Sequence, residues 1–233
     1  MTLKFITLFL YLPWLSLAAA PLNVRFLAWD EQIASRKLAA STQEIAGLHP
    51  LQRTTGYKVT VEEGVCQIQA VDKKNEKGEP TPLAIKIPAG MLRPLIILLP
   101  KPDAPSGLTA LAIEDDESSL KWGDIRAFNS TARELAMAVG SSGKVLPSGW
   151  QPVDFQPQAD NTVPVLIALP EELRKSPDSR QLLYSTVWTG DSNVRALAII
   201  VPGTDVRLGP LAVKVITEDR RVLAARKAAA ERR

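Results

Sequence analysis

"PTPLAIKIPAGMLRPLIILLPKPDAP", residues 80–105, decides the fold class. Its prolines at 80, 82, 88, 94, 100, 102 and 105 leave no room for a long helix, because each lacks a backbone donor and its ring clashes with the preceding turn. Between the prolines the apolar residues follow two patterns. In "LAIKI" (83–87), Leu83, Ile85 and Ile87 alternate with Ala84 and Lys86, the period of a strand with one face inward. In "PLIILL" (94–99) both faces are apolar, as in a central strand covered on both sides.

The same two patterns recur along the chain. Tyr57, Val59 and Val61 oppose Lys58 and Thr60, Cys66, Ile68 and Ala70 oppose Gln67 and Gln69, and "ELAMAV" (134–139) alternates likewise. "VPVLIAL" (163–169) and "RALAIIV" (195–201) are apolar throughout. Only Asp30–Ala46 has helix-forming composition, with Asp30 placed as an N-cap, and a strand hairpin fits that segment as well. Parallel βα units would need many more helices. The expected fold is all-β, an antiparallel β-sandwich with at most one or two short helices, built as one large domain or two packed lobes.

The lobes are expected at 20–100 and 108–218, with "KPDAPSG" (101–107) as linker or long loop and a basic tail at 219–233. A weak echo of duplication links "LAIKIPAGMLRPL" (83–95) to "LAIIVPGTDVRLGPL" (197–211). No second block matches at the same offset, so two merely similar hairpins are an equal reading.

Residues 1–19 read as a secretory leader: Lys4, an apolar run from Phe5 to Ala18, then small residues before Pro21. The run is short for a membrane span of about 20 residues, and no later stretch reaches that length without charges or prolines. The mature chain is expected to be exported, periplasmic or extracellular, with no transmembrane segment. One cysteine, Cys66, excludes an intrachain disulfide, so a hydrophobic core must hold the fold. The net charge of +3 is concentrated at the end, where Arg220, Arg221, Arg226, Lys227, Arg232 and Arg233 face one acid, Glu231. The body is then near neutral, which argues against nucleic acid and leaves the tail as a contact for an acidic surface.

The motifs carry little chemistry. Gly140-Ser-Ser-Gly-Lys144 fails as a phosphate loop, because Ala138 stands where the first glycine should be and Val145 follows the lysine; a hairpin turn fits better. Asn129-Ser130-Thr131 matches a glycosylation site or a turn. His49 is the one histidine, with no nucleophile elbow to serve, and Cys66 lies on the inward face of its strand. His49, Trp122, Trp150 and Trp188 are the candidate ligand-binding residues, the tryptophans as platforms or as core plugs. Asp115, Asp116 and Glu117, in the "EDDESS" run, are a candidate calcium site, whose spacing does not match the EF-hand loop. No cofactor motif is present.

A pattern covering about half the chain, from "RPLIILLP" (93–100) to "RALAIIVPG" (195–203) and resting on Asp115 or Asp116, Gly123, Arg126, Asn129, Gly149 and Trp188, resembles secreted bacterial β-sandwich proteins with no assigned activity. The resemblance implies an envelope location and a β-fold, and its motifs are structural. The expectation is an exported, non-enzymatic binding or structural module of the bacterial envelope. The alternative is a carbohydrate-active or other hydrolytic β-protein using Asp30, Glu31 or the Glu114–Glu117 acids as general acid and base. N-terminal sequencing of the exported protein should read from Ala19 or Ala20; an intact Met1 would overturn the leader assignment.

Overall fold

A computed structural model describes residues 21–157, 162–203, 207 and 209–232, so residues 1–19, the expected leader, lie outside the described residues. The first part of the chain forms β1 (Leu22–Ala28), α1 (Glu31–Ala34), β2 (Leu38–Ala40), β3 (Gln43–Glu44), β4 (Tyr57–Val59), β5 (Val61–Glu62), β6 (Val65–Lys74), β7 (Pro80–Lys86), β8 (Pro94–Pro100) and β9 (Leu108–Glu114). The second part forms β10 (Ile125–Asn129), β11 (Leu135–Val139), β12 (Ser142–Leu146), β13 (Val153–Phe155), β14 (Thr162–Ala168), α2 (Pro170–Leu173), a 3₁₀ turn (Pro177–Ser179), β15 (Leu182–Thr189), β16 (Val194–Pro202), β17 (Leu211–Asp219) and α3 (Arg220–Glu231). The chain is all-β, with three short α-helices rather than one or two. Among the described residues no helix is long and apolar enough to cross a membrane.

The two parts repeat one topology. The first has a sheet ordered β4-β1-β8-β9, and the second has one ordered β13-β10-β16-β17. Each part also has an outer sheet, β3-β2-β6 with β7 on β6 in the first and β12-β11-β14-β15 in the second. Strand for strand, β1 to β4 correspond to β10 to β13, and β6 to β9 correspond to β14 to β17. The registers set Arg25 opposite Leu95 and Arg126 opposite Leu197, so "RPLIILLP" (93–100) matches "RALAIIVP" (195–202). The echo seen in the sequence set β7 against β16 instead. These strands hold different places, one in an outer sheet and one in an inner sheet. The duplication is present, at another offset.

Within each inner sheet one pair is parallel, β1 with β8 and β10 with β16, while every other pairing is antiparallel. Parallel partners need long connections, and here an outer sheet fills each connection. Segment 101–107 joins β8 to β9 as the loop of an antiparallel hairpin, with the Lys101 amide donating to the Gly107 carbonyl. The halves therefore divide after β9, not at 101–107.

The layering explains the two apolar patterns. In β8, Ile96 and Leu98 pack into the core under the first outer sheet, while Leu95 and Ile97 turn the other way. In β16, Ala196, Ala198 and Ile200 pack under the second outer sheet, while Leu197 and Ile199 turn the other way. Leu95, Ile97, Leu197 and Ile199 meet in a third core with Leu27, Phe128 and Ile216. The order is thus outer sheet, inner sheet, inner sheet, outer sheet. Each fully buried Leu, Ile or Phe contributes on the order of 1.5–3 kcal/mol, so this middle core fastens the halves together. Outer strands alternate because water lies on one side: Cys66, Ile68 and Ala70 are buried, and Gln67 is exposed.

The Asp30–Ala46 segment answers both of its readings. Asp30 accepts from the Ile33 amide and caps the single helical turn α1, after which β2 and β3 form a hairpin. The turn residue Ser41 has φ +54°, and its counterpart in the β11–β12 hairpin is Gly140 at φ +60°. The Gly140-to-Lys144 run is that hairpin, with the strand resuming at Ser142.

Burial pushes the Cys66 thiol up to about 11, which leaves little thiolate at neutral pH. Native protein should react with a thiol reagent only slowly and become fast after denaturation. Rapid native labelling would mean that β6 opens.

Candidate functional site

At one end of the inner sheets, where β1, β9 and β17 meet the 48–56 loop, five charged side chains form one network. Asp115, fully buried, follows β9 directly, and Glu218 is the penultimate residue of β17, its counterpart in the repeat. Arg25, on β1, bridges the two, with Nη2 2.5 Å from Asp115 Oδ2 and Nη1 2.5 Å from Glu218 Oε1. Arg53 grips Asp115 through Nε at 2.7 Å and Nη2 at 3.0 Å. Arg195, buried on β16, holds Glu218 Oε2 through Nε at 2.8 Å and donates Nη1 to the Leu120 carbonyl at 3.1 Å. Burial opposes ionisation of Asp115, but Arg53, Arg25 and Arg195 outweigh it and hold its carboxyl below the ordinary range. Burial likewise opposes the charge on Arg53, and Asp115 more than offsets it, so this guanidinium stays protonated.

Three guanidinium groups face two carboxylates, a surplus of one positive charge in a buried place. One donor shows the same imbalance: Nη1 of Arg53 is the buried side-chain polar atom left without a hydrogen-bond partner among the described residues. Enclosed donors are nearly always satisfied.

Arg53 lines a groove of about 660 Å³ whose walls are the 48–56 loop and the first turns of α3, with His49, Leu51, Val222 and Arg226 among its residues. A hollow of about 200 Å³, lined by Arg93 and Arg195, shares Arg25, Gly56, Glu218 and Leu223 with it. A Cβ at Gly56 would stand 2.2 Å from Asn23 Oδ1, so a larger residue there would require the Asn23 side chain to turn aside. The carboxylates on these walls are already engaged: Glu218 by two arginines, Asp219 by Arg221, and Glu117 by the Trp122 indole. Among the described residues no carboxylate pairs with Arg93 or Arg226.

Of the candidate ligand-binding residues, His49 alone lines this groove, beside Arg226 of the basic tail. Its Nδ1 accepts from the Leu51 amide at 2.9 Å and its carbonyl from the Ala28 amide, so it also shapes the loop. The tryptophans are dispersed. Trp122 lies beside Arg195, its ring centroid 5.0 Å from the guanidinium carbon. Trp150, in the left-handed region at φ +66°, packs edge-on against Trp29 at 5.9 Å and tilted against Phe128. That strained conformation, of order 1–3 kcal/mol, is held by Trp29 of the first half and by Phe128 and the Asn129 carbonyl of its own half. Trp188 borders a separate hollow of about 310 Å³ with Ile125, Val187 and Val215.

The acids do not converge. Asp115 is held by two arginines, Asp116 Oδ1 accepts from the Ser118 and Ser119 amides, and Glu117 reaches Trp122. Among the described residues no group of three or more His, Cys, Asp or Glu is placed to hold a metal ion, and Asp115, Asp116 and Glu117 each engage a different partner. Glu114 caps the Leu92 and Arg93 amides, and Asp30 caps α1. Asn129 is fully buried, its amide donating to the Arg133 and Leu146 carbonyls, which removes it as a glycosylation site. Arg126, the other structural residue of the pattern, pairs with Asp154 at 2.7 Å.

No protein-family model and no curated protein matches the chain.

Sequence reasoning missed Arg25, Arg53, Arg195 and Glu218. The available signal was Arg25 and Arg195 inside otherwise apolar strands, since a charge at a covered position implies a buried partner. Asp115→Asn leaves buried guanidinium charge uncompensated and should lower the unfolding free energy by about 3–5 kcal/mol in urea titrations. The folded carboxyl titrates below its ordinary 3.8, so its contribution is complete above that pH and lost as pH falls through the folded value. The gap between wild type and variant should accordingly close in acid; a gap independent of pH would remove the ion network as its cause.

Proposed function

We propose that this protein is an exported, non-enzymatic binding module of the bacterial envelope, and that the arginine-lined groove beside α3 receives an anionic envelope component. The observation that carries this reading is the unbalanced charge: five arginines line the groove and its side hollow, every lining carboxylate is already engaged, and Arg53 Nη1 waits for an acceptor. The secretory leader and the resemblance to secreted bacterial β-proteins support the envelope location. The dispersal of the acids, each used as a cap or ion-pair partner, favours binding over acid–base hydrolysis, because a hydrolase needs two carboxylates facing one bond.

The basic tail joins the site. Asp219 caps α3 by accepting from the Arg221 amide, and Arg221 also reaches Asp191 at 2.7 Å, so the helix begins at a fixed angle from β17. Val222, Leu223 and Arg226 then form one wall of the groove. No residue of α3 is buried, which makes the helix a wall without making it core.

Cosedimentation with washed Gram-negative envelope fragments tests the reading. Wild type should sediment with them and be released as salt rises, since exposed charges are screened over about 8 Å at physiological ionic strength. Arg226→Glu combined with Arg93→Glu, and separately deletion of 220–233, should weaken binding while leaving the melting temperature almost unchanged. Equal binding by wild type and both variants would sink the assignment of the groove.

A further inference from the structure

The groove has a second property that a site for a small soluble anion would not need. Leu51 on the loop wall is 49% exposed, and Val222 on the helix wall is 47% exposed. Two of the seven large apolar side chains most exposed among the described residues thus stand on opposite walls of this arginine-lined groove. A third, Leu92 at 68% exposure, immediately precedes Arg93 of the adjoining hollow. Exposed apolar residues scattered singly need no explanation, but here they gather around unpaired arginines.

That combination matches the boundary of a lipid bilayer, where phosphate lies at the depth of the glycerol and the first methylenes. Arginine stems cover apolar surface while their guanidinium groups reach phosphate, and a phosphodiester carries the single negative charge that the network lacks. The alanine- and arginine-rich helix α3, with no buried residue, presents further cations beside the same wall.

We infer that this end of the molecule docks on an anionic phospholipid surface, with a headgroup phosphate accepting from Arg53 in the groove, Arg93 and Arg226 flanking it, and Leu51 and Val222 entering the interface. This rests on the groove being the binding site as proposed above, and it names the ligand as a lipid-borne phosphate. Arg53 anchors from the floor, and the two exposed arginines supply long-range attraction.

Vesicle flotation with the full mature chain tests the inference. Protein should float with vesicles of phosphatidylcholine containing phosphatidylglycerol and not with phosphatidylcholine alone. Arg226→Glu should weaken binding at least about fivefold, the change expected on losing one basic contact near an anionic surface. Leu51→Ser with Val222→Ser should also weaken it, but with an unchanged salt dependence, because no charge is removed. Inorganic phosphate should compete no better than chloride at matched ionic strength. Each variant is compared only after its circular dichroism and melting are shown to match wild type.

Specific competition by inorganic phosphate would identify a soluble oxyanion as the ligand and overturn lipid docking. Full vesicle binding by the double serine variant would overturn the interfacial role of the walls. Failure to bind any vesicle, with envelope fragments still bound through Arg93 and Arg226, would refute the lipid inference and leave the groove reading standing. Loss of both would refute both.

Discussion

The structure depends on the contact between its two inner sheets. Each is apolar on both faces because each lies between two layers, and Leu95, Ile97, Leu197 and Ile199 have no core of their own unless the halves meet. A sheet twists, so two such faces pack well only over a limited central area. At the margin where the sheets end, polar bonds take over from apolar packing. Arg25 links the two repeats by holding Asp115 of one and Glu218 of the other, and Trp29 of the first half packs on Trp150 of the second. Fold and candidate site are therefore one construction, since the network that closes the seam also provides the floor of the groove.

Duplication accounts for how such a network could arise. Asp115 and Glu218 hold equivalent places at the ends of β9 and β17, and Arg25 and Arg126 equivalent places in β1 and β10. The second pair has diverged in use. Arg126 turns to Asp154 and to the Glu114 and Ser119 carbonyls within reach of its own strand end, and is fully satisfied. Arg25 instead binds the two carboxylates at the ends of β9 and β17. The groove beside α3 is thus specific to one end of a symmetric plan, where the chain continues into a basic helix.

The strands were legible in the sequence because their signal is local. Alternation in "VCQIQAV" and unbroken apolarity in "PLIILL" report whether one face or two are covered, and each residue is read from its neighbours. Pairing was not legible. Arg25 lies opposite Leu95, 70 residues later, and nothing near either residue records the partner or its direction. The register of the repeat was obscured because only scattered positions, such as Arg93 and Arg195 or Pro100 and Pro202, keep their identity. The site was harder still, because Arg25, Arg53, Asp115, Arg195 and Glu218 come from five separate segments. His49 was singled out for its chemistry and does lie on the groove; the tryptophans, chosen by the same reasoning, serve three different neighbourhoods.

The parallel pairing of β1 with β8 has a further meaning in time. A strand that must wait some 70 residues for its central partner cannot be secured by the hairpins around it, and closing such a loop costs entropy before any contact repays it. The second half repeats the delay, with Ile125 opposite Ala196. Until both waits are over, the apolar faces that will form the seam stand open to water and to other chains. Distant pairing of this kind favours slow folding, and the first half's apolar faces stay open for as long as the second half takes to arrive.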